Sequence, residues 1–305
     1  MSEPLHGLLL INKEPGGTSH DVVARVRRIL GTRSVGHSGT LDPLAGGLMV
    51  LLVGEGTKLS NYILDGHKAY RAQARLGVST DTLDITGEVL ERRPVNVPFE
   101  RIEQALRELE GEFEWEVPLF SAVKVQGRPL HKYARQGQGE EVARPVKKMS
   151  FWDVRARSLE PDLIEIDLQC SKGSYVRSLI HQLGEKLGCG AAMSALTRTG
   201  SVPYSLEDAS TLDELGKAWS EGGELRPFIP MGRALPGLRR VRVQGQDQGL
   251  LLNGQISHDL RSMLITQVRP GVDDLVQVHS AQDQLLALIA LEPGKGFAIR
   301  RVFRY

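Results

Sequence analysis

The sequence predicts an α+β protein with a large N-terminal domain and a small C-terminal domain. Strand and helix patterns alternate irregularly, without the regular βαβ repeat of a doubly wound fold. The chain has 305 residues, which is long for one hydrophobic core and favours two domains. After Pro236 the apolar runs are short and separated by turn residues, as in a small β-barrel-like domain. We therefore expect domains over residues 1–235 and 236–305.

The first third of the chain combines strands with one well-delimited helix. A helix is predicted to begin after Thr18 or Ser19, whose side chains favour the N-cap position. It runs to about Leu30 and stops at Gly31. The strand patterns around it are at residues 5–11, 47–53 and 69–76.

The rest of the chain adds two helices and several strands. One amphipathic helix begins at Pro98 and ends at Gly111, with Phe99, Ile102, Leu106 and Leu109 facing inward. A strand at 163–170 leads into a helix from Tyr175 to Leu187. In the C-terminal part we expect short strands at the four apolar runs, residues 250–252, 263–268, 275–278 and 285–291.

The composition is that of a globular protein, with 41% hydrophobic and 25% charged residues. No apolar run approaches the roughly 20 residues that span a bilayer. The N-terminus lacks the pattern of a signal peptide. Cys170 and Cys189 form no CxxC pair, which argues against a zinc site or a disulfide framework. These features predict a cytoplasmic protein.

The net charge of +1 hides an uneven charge distribution. Residues 13–37 carry five Lys or Arg against two acids, and residues 121–148 carry seven against two. Residues 81–116 instead carry eleven acids against four Lys or Arg. This separation is compatible with a basic face that binds a polyanion, and equally with ordinary solvated surface charge.

The segment GHSGTLDPLAGG, residues 36–47, is the best candidate for chemistry. Its glycines permit close approach of the backbone to a ligand, and Asp42 stands among them. A plain turn with Asp42 as a helix N-cap explains the same residues. No HExxH, GxSxG or P-loop spacing occurs elsewhere, so a reaction would depend on carboxylate chemistry at Asp42.

At these residues the chain resembles the TruB-type tRNA pseudouridine synthases, over essentially its whole length. The motifs that carry the resemblance are INKEPGGTSHDVV (11–23), GHSGTLDPLA (36–45), KAYRAQARLG (68–77), TDTLDITGEV (80–89), SAVKVQG (121–127), YAR (133–135), CSKGSYVRSLIHQLGEKLG (170–188) and ALTRTG (195–200). The last 70 residues resemble a PUA domain less sharply.

The resemblance implies a mixed-sheet pseudouridine synthase core with a thumb insertion at about 121–148. The implied reaction converts the uridine at position 55, in the T-loop of tRNA, to pseudouridine. It uses an aspartate nucleophile and needs neither a metal nor a cofactor. The partner would be the tRNA T-arm stem-loop, bound by a monomer with no obligate protein partner.

The resemblance also assigns roles to three residues of the reaction. Asp42 is the nucleophile, and attack on C1′, attack on the base and removal of the C2′ proton all remain open as its step. Arg177 lies beside Asp42. Its positive charge there favours the ionised form of the carboxylate. Tyr70 stacks on the flipped base and accepts the C5 proton. Without the resemblance, Arg177 is a solvated arginine and Tyr70 a core tyrosine.

Other positions match substrate-binding residues of the family. Tyr175 and Leu196 contact the base, and His37 packs into the opened T-loop. Lys13 and Asp84 support the site. The basic thumb offers phosphate contacts from Lys124, Arg128, Lys132 and Arg135.

Three other hypotheses compete. A related archaeal-eukaryotic synthase subunit shares the aspartate motif and works with guide RNAs and protein partners. A catalytically silent RNA-binding or RNA-folding protein is the second, and the intact set of Asp42, Tyr70 and Arg177 argues against this as the sole role. An aspartate-dependent glycosidase would need a second carboxylate as its acid and would release free uracil.

Overall fold

The computed structural model describes residues 4–64, 66–292 and 294–305. Its strands are β1 (Gly7–Lys13), β2 (Val35–His37), β3 (Ala45–Val53), β4 (Lys68–Leu76), β5 (Val78–Thr80), β6 (Val89–Arg92), β7 (Gly111–Glu116), β8 (Lys124–Val125), β9 (Arg128–Pro129), β10 (Val146–Glu160), β11 (Leu163–Cys170), β12 (Ala191–Ser201), β13 (Tyr204–Ser205), β14 (Phe228–Pro230), β15 (Arg239–Arg242), β16 (Leu275–His279), β17 (Leu285–Glu292) and β18 (Gly296–Val302).

The α-helices are α1 (Ser19–Leu30), α2 (Ser60–Leu64), α3 (Phe99–Arg107), α4 (Leu130–Ala134), α5 (Val176–Leu187), α6 (Leu212–Ser220), α7 (Gln246–Leu252) and α8 (His258–Gln267). Within the described ranges, no helix has the length and apolarity required to cross a membrane.

A large mixed sheet forms the centre of the N-terminal part. Its strand order is β14-β1-β3-β12-β4-β11-β10-β7, with β2 beside β3 and β13 beside β12. Strands β3 and β12 are parallel, whereas β4 is antiparallel to both β12 and β11. The predicted α+β class with a mixed sheet is therefore confirmed.

Strand β1 is apolar at successive positions because both faces of the sheet are covered there. Leu9 and Ile11 belong to the main core, which also holds buried residues of α1, α3 and α5. Leu8 and Leu10 point to the opposite face and pack in a second cluster that includes Leu285 and other C-terminal residues. The C-terminal residues are thus docked on the back of the sheet.

Helix α1 begins and ends as its sequence predicts. Thr18 is the N-cap, and it forms a capping box with Asp21 in which each side chain bonds the other residue's backbone N–H. Gly31 ends the helix in the left-handed conformation, with φ of 64°. Helix α3 begins after Pro98 as predicted but ends at Arg107, before the predicted stop at Gly111, which is the first residue of β7.

The C-terminal residues form a small β domain with the strand order β15-β16-β17-β18. Two of the four predicted strands there were wrong, since residues 250–252 lie in α7 and residues 263–267 lie in α8. The helical pattern is set by Leu260 and Leu264, which are buried four residues apart, and by the Ser257 cap on the Leu260 N–H. The runs at 275–278 and 285–291 are strands.

The basic segment 121–148 is less separate from the core than its composition suggests. It contains the β8–β9 hairpin and α4, but Leu130 and Val142 are buried in the main core. Its last residues already belong to β10. Lys124, Lys132 and Arg135 are exposed, whereas the Arg128 guanidinium lies 4.4 Å from the Tyr133 ring centroid and donates to the Lys132 carbonyl. Arg128 therefore stabilises the segment itself.

Candidate active site

A cavity of about 250 Å³ lies where the loop before β3 meets the start of β4 and the first turn of α5. The chain segments that line it are far apart in sequence and converge through the sheet. The sequence-predicted residues on its walls are Asp42, Tyr70, Tyr175, Arg177 and Leu196. The fold thus brings five of the candidate residues into one site.

The loop that carries Asp42 is fixed by buried groups from neighbouring elements. Lys13 is buried, and its Nζ donates to the Ala45 carbonyl at 2.6 Å and the Pro43 carbonyl at 3.4 Å. The Ser19 hydroxyl at the start of α1 bonds both the N–H (2.8 Å) and the carbonyl (3.0 Å) of Leu41. Asp42 is therefore held from both sides of the loop.

Gly47 shows why the end of this motif needs glycine. Its φ is 93°, and a Cβ there would meet the Arg198 carbonyl oxygen of β12 at 2.4 Å. The close approach of β3 to β12 requires a residue without a side chain.

Asp42 and Arg177 form an ion pair in the cavity. Arg177 Nη2 lies 2.9 Å from Asp42 Oδ2. The Asp42 side chain is 47% exposed, whereas that of Arg177 is only 4% exposed. The carboxylate is thus open to a substrate while its cationic partner is fixed behind it.

Arg177 is held by four groups at once. Nη1 donates to the Thr82 carbonyl and Nη2 to the Phe120 carbonyl, each at 3.0 Å. Asp84 Oδ2 lies 3.7 Å from Nη1, and Asp84 itself accepts from the N–H and hydroxyl of Thr86. The planar fork of arginine suits several oxygens at fixed angles, so this cation is preorganised.

Tyr70 lies on β4 between two partners in the sheet, Leu168 of β11 and Arg198 of β12. Burial raises the pKa of Tyr70, and the positive charge of Arg198 opposes that shift. Arg198 is buried and donates to the Leu48 carbonyl at 2.7 Å and the Thr40 carbonyl at 3.3 Å. Arg198 thus connects Tyr70 on β4 with the loop that carries Asp42.

Arg198 is a site residue that the sequence analysis did not assign. It lies within the ALTRTG motif, so a signal was present, but only the strand register places it beside Tyr70. Leu196, two residues earlier on β12, adds an apolar wall as predicted.

The end of β11 and the loop after it, residues 170–174, form another unassigned wall of the cavity. Ser171 and Ser174 both bond the Ser150 N–H, which fixes the loop to β10. Burial raises the pKa of the Cys170 thiol to about 12, so the thiol is neutral at physiological pH. Cys170 therefore lines the cavity with its thiol, and burial disfavours the nucleophilic thiolate. The Tyr175 pKa is raised as well, by burial.

The remaining candidates lie outside the cavity wall. Lys13 is beneath the Asp42 loop, and His37 ends β2 with its Nδ1 accepting the Gly39 N–H at 3.3 Å. Burial, and then the positive charge of Arg198, lower the pKa of His37, so its imidazole is neutral at pH 7. Lys124 and Arg135 lie on the surface of segment 121–148.

Comparison with known proteins agrees with this fold. The model of the TruB family pseudouridylate synthase N-terminal domain matches residues 27–176, and that of the tRNA pseudouridylate synthase B C-terminal domain matches residues 177–236. A tRNA pseudouridine synthase B of Bdellovibrio bacteriovorus is 56% identical over 303 residues, covering 98% of this chain and 97% of the relative.

Two more distant proteins also resemble this chain. A tRNA pseudouridine synthase B of Vibrio campbellii is 38% identical over 260 residues, covering 82% of each chain. A chain of an H/ACA RNP bound to a substrate RNA containing 2′-deoxyuridine is 25% identical with a TM-score of 0.70, covering 98% of this chain and 86% of that one.

The fold and the matches define a pseudouridylate synthase, an isomerase. Within that class the chain belongs to the TruB family, whose curated relatives are tRNA pseudouridine synthases B.

Proposed function

We propose that this protein isomerises a uridine in the T-loop of tRNA, at position 55, to pseudouridine, with Asp42 as the nucleophile and without a cofactor. The observation that carries the proposal is the exposed Asp42 carboxylate paired at 2.9 Å with buried Arg177 inside a base-sized cavity. Family membership supports tRNA as the substrate.

The cavity walls fit a flipped uracil. Tyr70 offers a ring face for stacking, while Tyr175 and Leu196 exclude water around the base. Arg177 orients the Asp42 carboxylate toward the open side of the cavity. Neutral His37, beside the same loop, is suited to fill the space that the flipped nucleotide leaves.

Tyr70 has a second proposed role, as the group that receives the C5 proton late in the reaction. Because burial raises its pKa, the resting side chain is a neutral phenol. As its hydroxyl accepts the C5 proton, it releases its own proton to solvent water, so that the side chain ends the step as the neutral phenol again. The stacking role and the proton role depend on different parts of the side chain and are separable by mutation.

Tyr70→Phe is expected to bind RNA normally and to stall before product forms. The phenylalanine ring keeps the stacking face but lacks the hydroxyl, so we expect the turnover to fall about 10²- to 10⁴-fold. Tritium release from C5-labelled uridine measures the step. Tyr62→Phe is the control, since Tyr62 packs away from the cavity. Near-normal tritium release by Tyr70→Phe would exclude the hydroxyl as the proton acceptor.

We also propose that residues 121–148 are a thumb that grips the T-arm phosphates through exposed Lys124, Lys132 and Arg135. Replacing all three by glutamine should weaken binding of a minimal T-arm hairpin. The slope of log affinity against log salt should fall by about one unit for each phosphate whose cationic partner is removed.

Titration over a salt series tests the thumb. The control is Arg101→Gln with Arg107→Gln, which removes two exposed charges from α3. An unchanged salt slope in the triple variant, or an equal decrease per charge removed in the control, would contradict the thumb assignment.

The proposed domains are residues 1–235 for catalysis and 236–305 for RNA binding as a PUA domain. Residues 236–305 carry nine Lys or Arg against six acids. Leu285, Leu288 and Phe303 pack in one cluster with Leu8 and Leu10 of the main sheet. Deletion would expose that apolar face, so charge-neutralising point variants are the better probe of RNA binding.

The experiment that tests the whole proposal maps pseudouridine in a T-loop transcript treated with the purified protein. We expect modification of one uridine of the bare transcript by a monomer, with no added metal, guide RNA or protein. Activity only with guide RNA and protein partners would favour the archaeal-eukaryotic type. Release of free uracil would indicate a glycosidase, and an unchanged transcript an RNA-binding protein.

A further inference from the structure

The thumb root, Phe120 and Ser121, contacts the Asp42–Arg177 pair directly. Arg177 Nη2 donates to the Phe120 carbonyl at 3.0 Å, and the same nitrogen lies 2.9 Å from Asp42 Oδ2. One guanidinium nitrogen therefore serves both the nucleophile and the thumb root. The Phe120 carbonyl is thus one of the groups that position the guanidinium beside the carboxylate.

The other side of the thumb root is bonded to α4. The Ser121 carbonyl accepts from the backbone N–H of His131 at 3.1 Å and lies 3.0 Å from its ring Nδ1. Because a carbonyl oxygen only accepts, Nδ1 carries the proton and donates. The exposed residues Lys132 and Arg135 follow His131 closely along the chain.

Ser121 also has a buried hydroxyl next to the cavity wall. Its Oγ is buried and has no hydrogen-bond partner among the residues that the structure describes. It lies close to the hydroxyl of Tyr175. The thumb root is therefore adjacent to Tyr175 of the cavity wall as well as to Arg177.

We propose that His131 is a positioning residue that couples the RNA-bound thumb to the Asp42–Arg177 pair through Ser121 and Phe120. The phosphates of the substrate fix α4, the two His131 bonds transmit its position to the thumb root, and Arg177 aligns Asp42. This inference rests on the proposed function, because it takes Asp42 as the nucleophile and the thumb as an RNA contact.

His131→Leu tests the coupling because it removes the ring donor and keeps an apolar side chain of similar reach. We expect the single-turnover rate at saturating T-arm RNA to fall about 10- to 100-fold, since small misplacements of reacting groups have costs of that order. The Kd should stay within about twofold, because a positioning interaction acts after binding. His131→Asn, whose amide can donate to the same carbonyl, should restore most of the rate.

Two further variants keep the test decisive. His131→Ala also removes the ring donor but introduces no large apolar side chain. It replaces His131→Leu if thermal unfolding shows that the leucine variant does not fold. His20→Leu makes the same chemical change at an exposed position of α1 and should match the wild type.

The outcomes separate this inference from the proposed function. If the wild-type protein makes no pseudouridine in the hairpin, both are overturned. If the wild type is active but the donor-free variants keep its saturating rate, or lose only affinity, the coupling is wrong and the proposed function stands. Equal rates for His131→Asn and His131→Leu would likewise overturn the coupling. A rate loss at unchanged Kd that His131→Asn restores supports it.

Discussion

Asp42→Asn is expected to bind T-arm RNA and to form no pseudouridine above a trace. The amide keeps the shape of the side chain, but it is neither a nucleophile nor a base, so we expect a loss of at least about 10⁴-fold. Lys13 and Ser19 hold the loop through its backbone, so the position of residue 42 should not change. Pseudouridine mapping after long incubation measures the loss, and gel-shift titration measures binding.

Asp208→Asn is the matched control, since it makes the same exchange at an exposed position outside the cavity. It should retain the wild-type rate. Steady pseudouridine formation by Asp42→Asn, after a check that the asparagine has not deamidated, would show that another group starts the reaction. Loss of RNA binding together with activity would mean that the variant has lost its fold, and thermal unfolding would detect this.

The sequence predicts best those features that depend on neighbouring residues. The capping box of Thr18 and Asp21 and the left-handed Gly31 bound α1 where the pattern places it. The alternation of buried and polar positions predicts strand β4 to within one residue. In contrast, the strand prediction for residues 263–268 is wrong, since a short apolar run fits either structure until its packing is known.

The site residues also differ in whether the local sequence indicates them. Asp42 stands out locally, because its glycine-rich loop is unusual for a connector. Arg198 does not, because its partners are backbone carbonyls 150 and 158 residues away and a tyrosine on the next strand. The role of Phe120 is equally hidden, since it contributes a main-chain carbonyl that any residue has. A hydrogen bond made by a backbone carbonyl does not depend on the residue type, so the sequence does not indicate it.

Arg177→Lys is expected to fold and to lose most of the activity. Lysine keeps the positive charge, but its single ammonium cannot reach the oxygens of Asp42, Asp84 and two carbonyls that the guanidinium bonds together. The Asp42 carboxylate would then be misaligned, and we expect the single-turnover rate at saturating RNA to fall about 10²-fold. The Kd for RNA should change little, because Arg177 is buried behind the carboxylate.

Arg177→Met should have a larger effect on stability. It leaves buried Asp84 without its cation, and removal of one partner of a buried pair costs about 3–5 kcal/mol. Thermal unfolding of the two variants, beside single-turnover rates for Arg177→Lys, separates support of the fold from alignment of the nucleophile. Arg107→Lys on the exposed face of α3 is the control for the exchange itself. A wild-type rate for Arg177→Lys would mean that charge alone suffices at this position, and the four-way anchoring of the guanidinium would then have no part in catalysis.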